Sequence, residues 1–245
     1  MTTLFISDLH LDTSRADITA RFVEFLDGEA RGAEALYILG DLFETWIGDD
    51  APDPGQALAI EGLRRLTRSG VPCFVMHGNR DFLLGEGFCS RSGARLIGEP
   101  LVLTLYGEQV LVMHGDALCT DDRAYQRLRA TVRDPGWQRR FLALSPAQRA
   151  TLASAARDGS KAHTAGVALA ITDVNADSVA AVLRDAGVPT LLHGHTHRPA
   201  IHVLDVDGQP RRRIVLGDWY DQGSVLRWDR DGYALATLPG SGGPE

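Results

Sequence analysis

The chain has 245 residues, 44% hydrophobic and 23% charged, enough for one compact domain with a sizeable core and room for an insertion. Its formal net charge of -7 argues against a general nucleic-acid binder, which needs a basic surface, and no apolar run approaches the ~20 residues that cross a membrane. Three cysteines, Cys73, Cys89 and Cys119, lack any CxxC pairing and fit reduced thiols rather than a zinc-thiolate site.

Met1–Ser7 has neither a basic region nor a long apolar stretch, so no cleaved leader is expected. Thr3–Ser7 is a short apolar run ending at Asp8-Leu9-His10. Residues 16–30 carry Phe22, Phe25 and Leu26 at helical spacing, and Ala35–Leu39 is a second apolar run, ending at Gly40-Asp41. A helical pattern over 55–69 leads to Cys73–Met76, which precedes His77-Gly78-Asn79. Val110–Met113 precedes His114-Gly115-Asp116. A third helical pattern, 177–186, comes before Thr190-Leu191-Leu192 and His193-Gly194-His195-Thr196-His197. From Ile201 to Trp228 the pattern reads as strands with glycine turns, and the tail 239–245 is expected to be disordered. Strands alternating with helices indicate an α/β sheet, and sites in such sheets lie outside the carboxyl ends of the strands.

One stretch breaks the alternation. Residues 122–167 are helical in composition with no apolar strand run, and Asp122 to Lys161 holds nine basic residues against three acidic ones. We expect a helical insertion facing an anion or a lipid headgroup, its Trp137, Phe141, Leu142, Leu144 and Leu152 lining an apolar groove or forming a small core. The core domain is then 1–121 with 168–238.

Asp8-x-His10 or Gly40-Asp41 alone is weak, since Asp commonly caps a helix, and Asn after Gly commonly makes a turn. The combination decides. Five strand ends deliver ligand types in the order Asp-x-His, Gly-Asp, Gly-Asn, His-Gly, Gly-His-x-His, a mixed imidazole and carboxylate set that suits Mn, Fe, Zn or similar divalent ions. Asp81 and Asp116 are expected to orient ligand imidazoles or Arg80, and Asp218–Asp221 to close a sheet edge.

This motif order resembles that of the calcineurin-like metallophosphoesterases along most of the chain. The resemblance implies a four-layer α/β/β/α sandwich with two metal ions. Asp8, His10 and His197 would hold one, Asn79, His114 and His195 the other, and Asp41 would bridge them. Where many members carry His after Gly-Asn, this chain has Arg80, which cannot release a proton near neutrality. An alkoxide leaving group needs that proton, but a phosphate, with a second pKa of about 6, does not. Arg80 therefore favours cleavage of a phosphoanhydride.

Three longer stretches, Gly40–Asp50, Gly78–Phe82 and Ile171–Asn175, resemble the branch of that family that cleaves a UDP-linked diacylated glucosamine in lipid A biosynthesis. That branch implies two Mn2+ per chain, attack by hydroxide on the phosphorus next to uridine, and release of UMP and the diacylglucosamine 1-phosphate. It implies catalytic roles for Asp41, Arg80 and His195, with substrate contacts from Asn79, Arg80, Asp122, Ser160 and His195 and from their neighbours Tyr125 and Arg157. Relatives carry Asn and Lys near positions 164 and 167, where this chain has Thr164 and Val167, so a phosphate contact is either missing or moved to Lys161 or Arg157. The expected enzyme is a monomer, peripheral on the cytoplasmic face of the inner membrane, with no nucleic-acid partner. The same metal motifs would serve a phosphoesterase acting on another phosphodiester, a cyclic nucleotide or a phosphoprotein, or a metal-bearing scaffold.

Overall fold

The computed structural model describes residues 1–166, 173–220 and 222–238, without the side chains of 158–166. Val167, Ile171, Thr172, Asp221 and the tail 239–245 lie outside the described residues, as do the side chains of Ser160, Lys161 and Thr164.

Among the described residues eleven strands form two sheets. β1 (Thr3–Ile6), β2 (Ala35–Leu39), β3 (Cys73–Met76) and β4 (Arg95–Ile97) run parallel. β5 (Leu101–Leu105) and β6 (Glu108–Val112) pair antiparallel, β7 (Thr190–His193) lies parallel to β6, and β8 (Ala200–Val206) and β9 (Gln209–Val215) form a further antiparallel pair. β10 (Gly223–Asp229) and β11 (Gly232–Leu238) close the chain. The sheet orders are β11-β10-β1-β2-β3-β4 and β5-β6-β7-β9-β8.

The period-2 alternation of each strand builds three apolar layers. Leu4, Ile6, Leu36, Ile38, Cys73 and Val75 face α1 (Ala16–Asp27), α2 (Pro54–Arg68) and α3 (Glu86–Ser92), meeting Phe22, Leu63 and Phe88. Phe5, Leu39 and Met76 point the other way, against Val110, Val112, Leu192 and Ile214 of the second sheet. Leu111 and Leu191 then face outward onto Val179 and Leu183 of α7 (Ala176–Ala186). The architecture is therefore the expected four-layer α/β/β/α sandwich.

Among the described residues three α-helices lie between the second sheet's β6 and α7, namely α4 (Arg123–Val132), α5 (Pro135–Leu142) and α6 (Pro146–Gly166). Asp122 and Asp134 cap the first two by accepting from the backbone N–H of Tyr125 and Trp137. α4 buries none of its residues, so it is held by its contacts to neighbouring segments rather than by a core of its own.

Several boundaries differ from the sequence reading for local reasons. The first helix stops at Asp27 because Gly28 interrupts it. The β6 strand begins two residues early, at Glu108, and Met113 already belongs to the following loop. β4, β5 and β11 are edge strands that end in no ligand motif, so a criterion of apolar runs leading into polar motifs passes over them, although Leu101–Leu105 is itself largely apolar.

Candidate metal centre and its cavity

Every ligand motif follows the carboxyl end of a strand, and the bends there are tight. Asp8, His10, Asp41, His195 and His197 all take φ between 50° and 68°, the left-handed region that side-chain-bearing residues seldom occupy. Such conformations persist at sites where the surroundings hold them, and here they turn the side chains from separate loops toward one point. The backbone packing is equally close. A Cβ at Gly78 would collide with the Asp41 carboxylate, and one at Gly194 with Asp8 and Ser7.

The side chains form two groups sharing one atom. In the first, His10 Nε2 lies 3.2 Å from His197 Nε2, and His197 Nε2 lies 3.4 Å from Asp8 Oδ1. In the second, Asn79 Oδ1 lies 2.9 Å from both His114 Nε2 and His195 Nδ1. Asp41 Oδ2 stands between them, 3.8 Å from His10 Nε2 and 3.7 Å from His114 Nε2. All seven residues expected as ligands thus converge.

The donor set fits cations. His10 donates through Nδ1 to Glu44 at 2.8 Å and His114 through Nδ1 to the Leu39 carbonyl at 2.9 Å, which leaves each Nε2 able to offer a lone pair inward. His197 Nδ1 is similarly turned to Asp218 at 3.3 Å. The facing atoms are therefore acceptors crowded on acceptors, a repulsive arrangement unless a positive charge sits among them. Two ligand atoms each ~2.1 Å from one ion are about 3 Å apart, which matches these separations. Asp8 Oδ2 accepts from Ser7 Oγ at 2.5 Å and from the His195 N–H at 2.8 Å, while Asp8 Oδ1, fully buried, has no hydrogen-bond partner. An orphaned carboxylate oxygen is costly in an interior and suits a metal.

Without cations the cluster's charge is balanced by protons. Burial pushes the Asp41 carboxyl up to about 6, against the pull of His114 and His10. Burial also raises Asp8, but the close approach of His197 and the charges of His114, His197 and His10 outweigh it and hold its carboxyl below the ordinary range. Burial lowers His114, yet Asp41, Asp8, Asp116 and Glu99 drive it up to about 9. Despite its burial, His197 rises to about 10 through Asp218 and Asp8, and burial takes His195 down to about 3.

Beside the cluster lies a mostly apolar cavity of about 570 Å³. Glu44, Asn79, Arg80 and Phe82 form its inner wall, and Tyr125, Leu128, Trp137, Phe141, Leu144 and Leu152 from the α4–α6 segment form the outer one. Leu142 does not line the cavity; its tip lies against Gly48 and the residue is 42% exposed. Tyr125 stacks on His195 with centroids 6.1 Å apart and donates to Asp116 at 2.5 Å. Arg157 pairs with Glu44 at 3.0 Å, and buried Asp122 caps α4. Ser160 and Thr164, by their side chains, and Val167 entirely, lie outside the described residues.

The basic character of the segment divides on inspection. Arg129 is bound to Asp116 and Glu99, Arg133 to the Gly78 carbonyl, Arg149 to Ile47 and Asp50, and Arg157 to Glu44, so these four fasten the helices to the core. Arg123, Arg127, Arg139 and Arg140 are exposed.

Two expectations change. Asp81 reaches no imidazole; it accepts from the backbone N–H groups of Leu42, Phe43 and Gly78 and so braces the loops carrying Asp41 and Asn79. Asp116 accepts from Tyr125 and Arg129 instead of a ligand imidazole. Asp218 does more than edge a sheet, since it holds His197, and Tyr220 stacks on His10 at 5.2 Å. Glu44, Glu99 and Asp218 touch the ligands from 34, 15 and 21 positions away in the chain, and only the fold reveals these contacts; Ser7 reaches its neighbour Asp8.

Comparison with known proteins agrees with this geometry. Residues 1–199 match the calcineurin-like phosphoesterase family. A protein of Stenotrophomonas maltophilia called UDP-2,3-diacylglucosamine hydrolase is 52% identical over 245 residues, covering 97% of this chain and 99% of its own. Proteins of the same name from Pseudomonas aeruginosa (54% identical over 241 residues, 98% and 100% covered) and Xanthomonas axonopodis pv. citri (52% over 245, 97% and 99%) are similarly close.

Proposed function

The chain belongs to the calcineurin-like phosphoesterases, and from that premise we propose that it hydrolyses the pyrophosphate bond of UDP-2,3-diacylglucosamine to UMP and 2,3-diacylglucosamine 1-phosphate. The observation that carries this reading is the joining, at Asn79, of a paired ligand cluster to an apolar cavity of about 570 Å³, well within the range of small-molecule sites. The names of the relatives support the same substrate.

Asp8, His10 and His197 would hold one divalent cation, Asn79, His114 and His195 a second, with Asp41 shared. When bound, such a pair supplies positive charge for phosphoryl oxygens and makes water acidic enough to ionise near neutral pH. The N/O donor set without thiolate is compatible with Mn2+, our proposed ion. Water releases a proton to solvent and attacks the phosphorus next to uridine, the bond from that phosphorus to the bridging oxygen breaks, and the electron pair leaves with the lipid phosphate. That leaving group needs no proton, and Arg80, on the cavity wall beside Asn79, pairs with the charge gathering on the phosphates. Asp41 and His195 serve as ligands at the reacting centre. The 122–167 segment acts as a lid that takes the acyl chains. Asn79, Asp122, Tyr125, Arg157 and His195 contact substrate in this scheme, as do Ser160, Thr164 and Val167.

No described helix is long and apolar enough to cross a membrane. We propose a monomer, peripheral on the cytoplasmic face of the inner membrane. Exposed Leu128, Leu142 and Leu152 share the α4–α6 helices with the four exposed arginines, each of which would add about 1 kcal/mol near an anionic surface.

The test is hydrolysis of UDP-2,3-diacylglucosamine with Mn2+ in 18O-labelled water. The label is expected in UMP. Label in the lipid phosphate, or no turnover with any divalent ion, would overturn the scheme, and faster turnover of a simple phosphodiester would point to another substrate.

A further inference from the structure

Glu99 and Arg129 belong to no motif, yet together they connect the cavity wall to the second ligand group. Arg129, on α4, lines the cavity. Its Nε donates to Asp116 Oδ2 at 2.8 Å and its Nη2 to Glu99 Oε1 at 2.5 Å. The other oxygen of Glu99 accepts the backbone N–H of His114 at 2.9 Å. The Asp116 oxygen that receives Arg129 also receives the Tyr125 hydroxyl at 2.5 Å, and Gln126 donates to the Asp116 carbonyl at 2.8 Å. A single guanidinium therefore bridges two carboxylates, one gripping the main chain of a ligand residue and the other two residues after that ligand in sequence. The Asp116 side chain is fully buried, and those of Glu99 and Arg129 are 12% and 22% exposed, so solvent screens this bridge poorly.

We propose that Arg129 is a positioning residue that ties the seating of α4, and so the shape of the cavity, to the second cation site at Asn79, His114 and His195. His114 is pinned at its ring by Leu39, at its carbonyl by Gly194 and at its amide by Glu99. Of these three anchors only Glu99 is itself held by the α4–α6 segment. A shift of α4 pulls on Glu99 and Asp116, and hence on His114. The first group, at Asp8, His10 and His197, draws its outer contacts from Glu44 and Asp218; Glu44 meets the segment through Arg157 of α6, and none of the Arg129 bonds reaches it. Coupling between two sites is reciprocal, so a filled cavity that seats α4 would also tighten the second ion. Lys cannot replace Arg129, since one ammonium does not present the planar fork that spans both carboxylates.

The inference rests on the two-cation reading, and the test separates the two. MnCl2 is titrated calorimetrically into metal-free protein in two single-site backgrounds: His10→Ala, which leaves the second group, and Asn79→Ala, which leaves the first. Adding Arg129→Met should weaken Mn2+ binding about tenfold or more in the His10→Ala background, the usual effect of losing an outer contact to a ligand, and less than about threefold in the Asn79→Ala background. Arg129→Lys should recover only part of the loss. Glu99→Gln keeps the shape of the site and should act in the same direction, which preserves the test should Arg129→Met fail to fold. Equal weakening in both backgrounds, or in neither, overturns the proposal. Wild-type protein that binds fewer than two ions overturns the two-cation reading and this inference with it.

Discussion

Gly78→Ala is a small change with a large expected effect. Gly78 needs no left-handed backbone, so alanine brings no conformational strain, and its effect is purely steric. A Cβ built there meets Asp41 Cγ at 2.7 Å and overlaps both the Asp41 carboxylate oxygen and the Asp41 backbone nitrogen. Ordinary contact needs about 3.4 Å or more, so the shared ligand or the Asn79 loop must give by on the order of 1 Å. Neither is free to retreat. The Gly78 N–H is held by Asp81 at 2.7 Å, the Gly78 carbonyl accepts from Arg133 at 2.9 Å, and Asp41 Oδ1 accepts the Arg80 N–H at 2.8 Å. Displacement by an ångström at a reacting centre costs about 100-fold in rate, and overpacking of this kind costs about 1–3 kcal/mol of stability. The assay is kcat/KM on the UDP-linked substrate with saturating Mn2+, alongside a thermal melt. A Gly78→Ala variant that keeps more than about half the wild-type kcat/KM would refute the claim that Asp41 is fixed by close packing against this loop.

Arg80→Ala should lower kcat by about 100-fold or more while Mn2+ still binds in two equivalents, checked by steady-state kinetics and calorimetry, because Arg80 acts on developing charge rather than as a ligand. Metal binding should release protons at pH 7. His114 and His197, raised to about 9 and 10 in the metal-free protein, must be neutral to ligate, so Mn2+ affinity should climb with pH through that range; titration in buffers of different ionisation enthalpy would show it, and zero proton release would contradict it. The same shifts fix a sign for stability. Without metal, these two groups stabilise the fold fully below their unfolded pKa near 6.5, and that contribution fades as pH rises through 9 and 10; a melt series in EDTA that strengthens over this range would argue against it. The thiols of Cys73 and Cys119, both pushed up to about 12 chiefly by burial, should resist alkylation at pH 8 until the protein unfolds, with partly exposed Cys89 reacting first in a mass-spectrometric time course.

The sequence by itself determined a good deal. Apolar runs of three to five residues, each ending in Gly or a ligand type, located β1, β2, β3 and β7, because buried parallel strands must be apolar on both faces. The same logic put Asp8, Asp41, Asn79, His114 and His195 at strand ends, where chain direction forces them to one edge of the sandwich. Arg80 was legible because it occupies a position defined by its neighbours Gly78 and Asn79. What only the tertiary structure decided are contacts between segments far apart in the chain. Glu44 reaches His10 across 34 positions, Glu99 reaches Arg129 across 30, and Arg149 reaches Asp50 across 99. Spacing along the chain carries no trace of such pairs, since each depends on where whole helices and sheets pack. The segment's arginines show the same limit: composition counted their charge, but only packing separates Arg129, Arg133, Arg149 and Arg157, which are bound to the core, from Arg123, Arg127, Arg139 and Arg140, which are exposed.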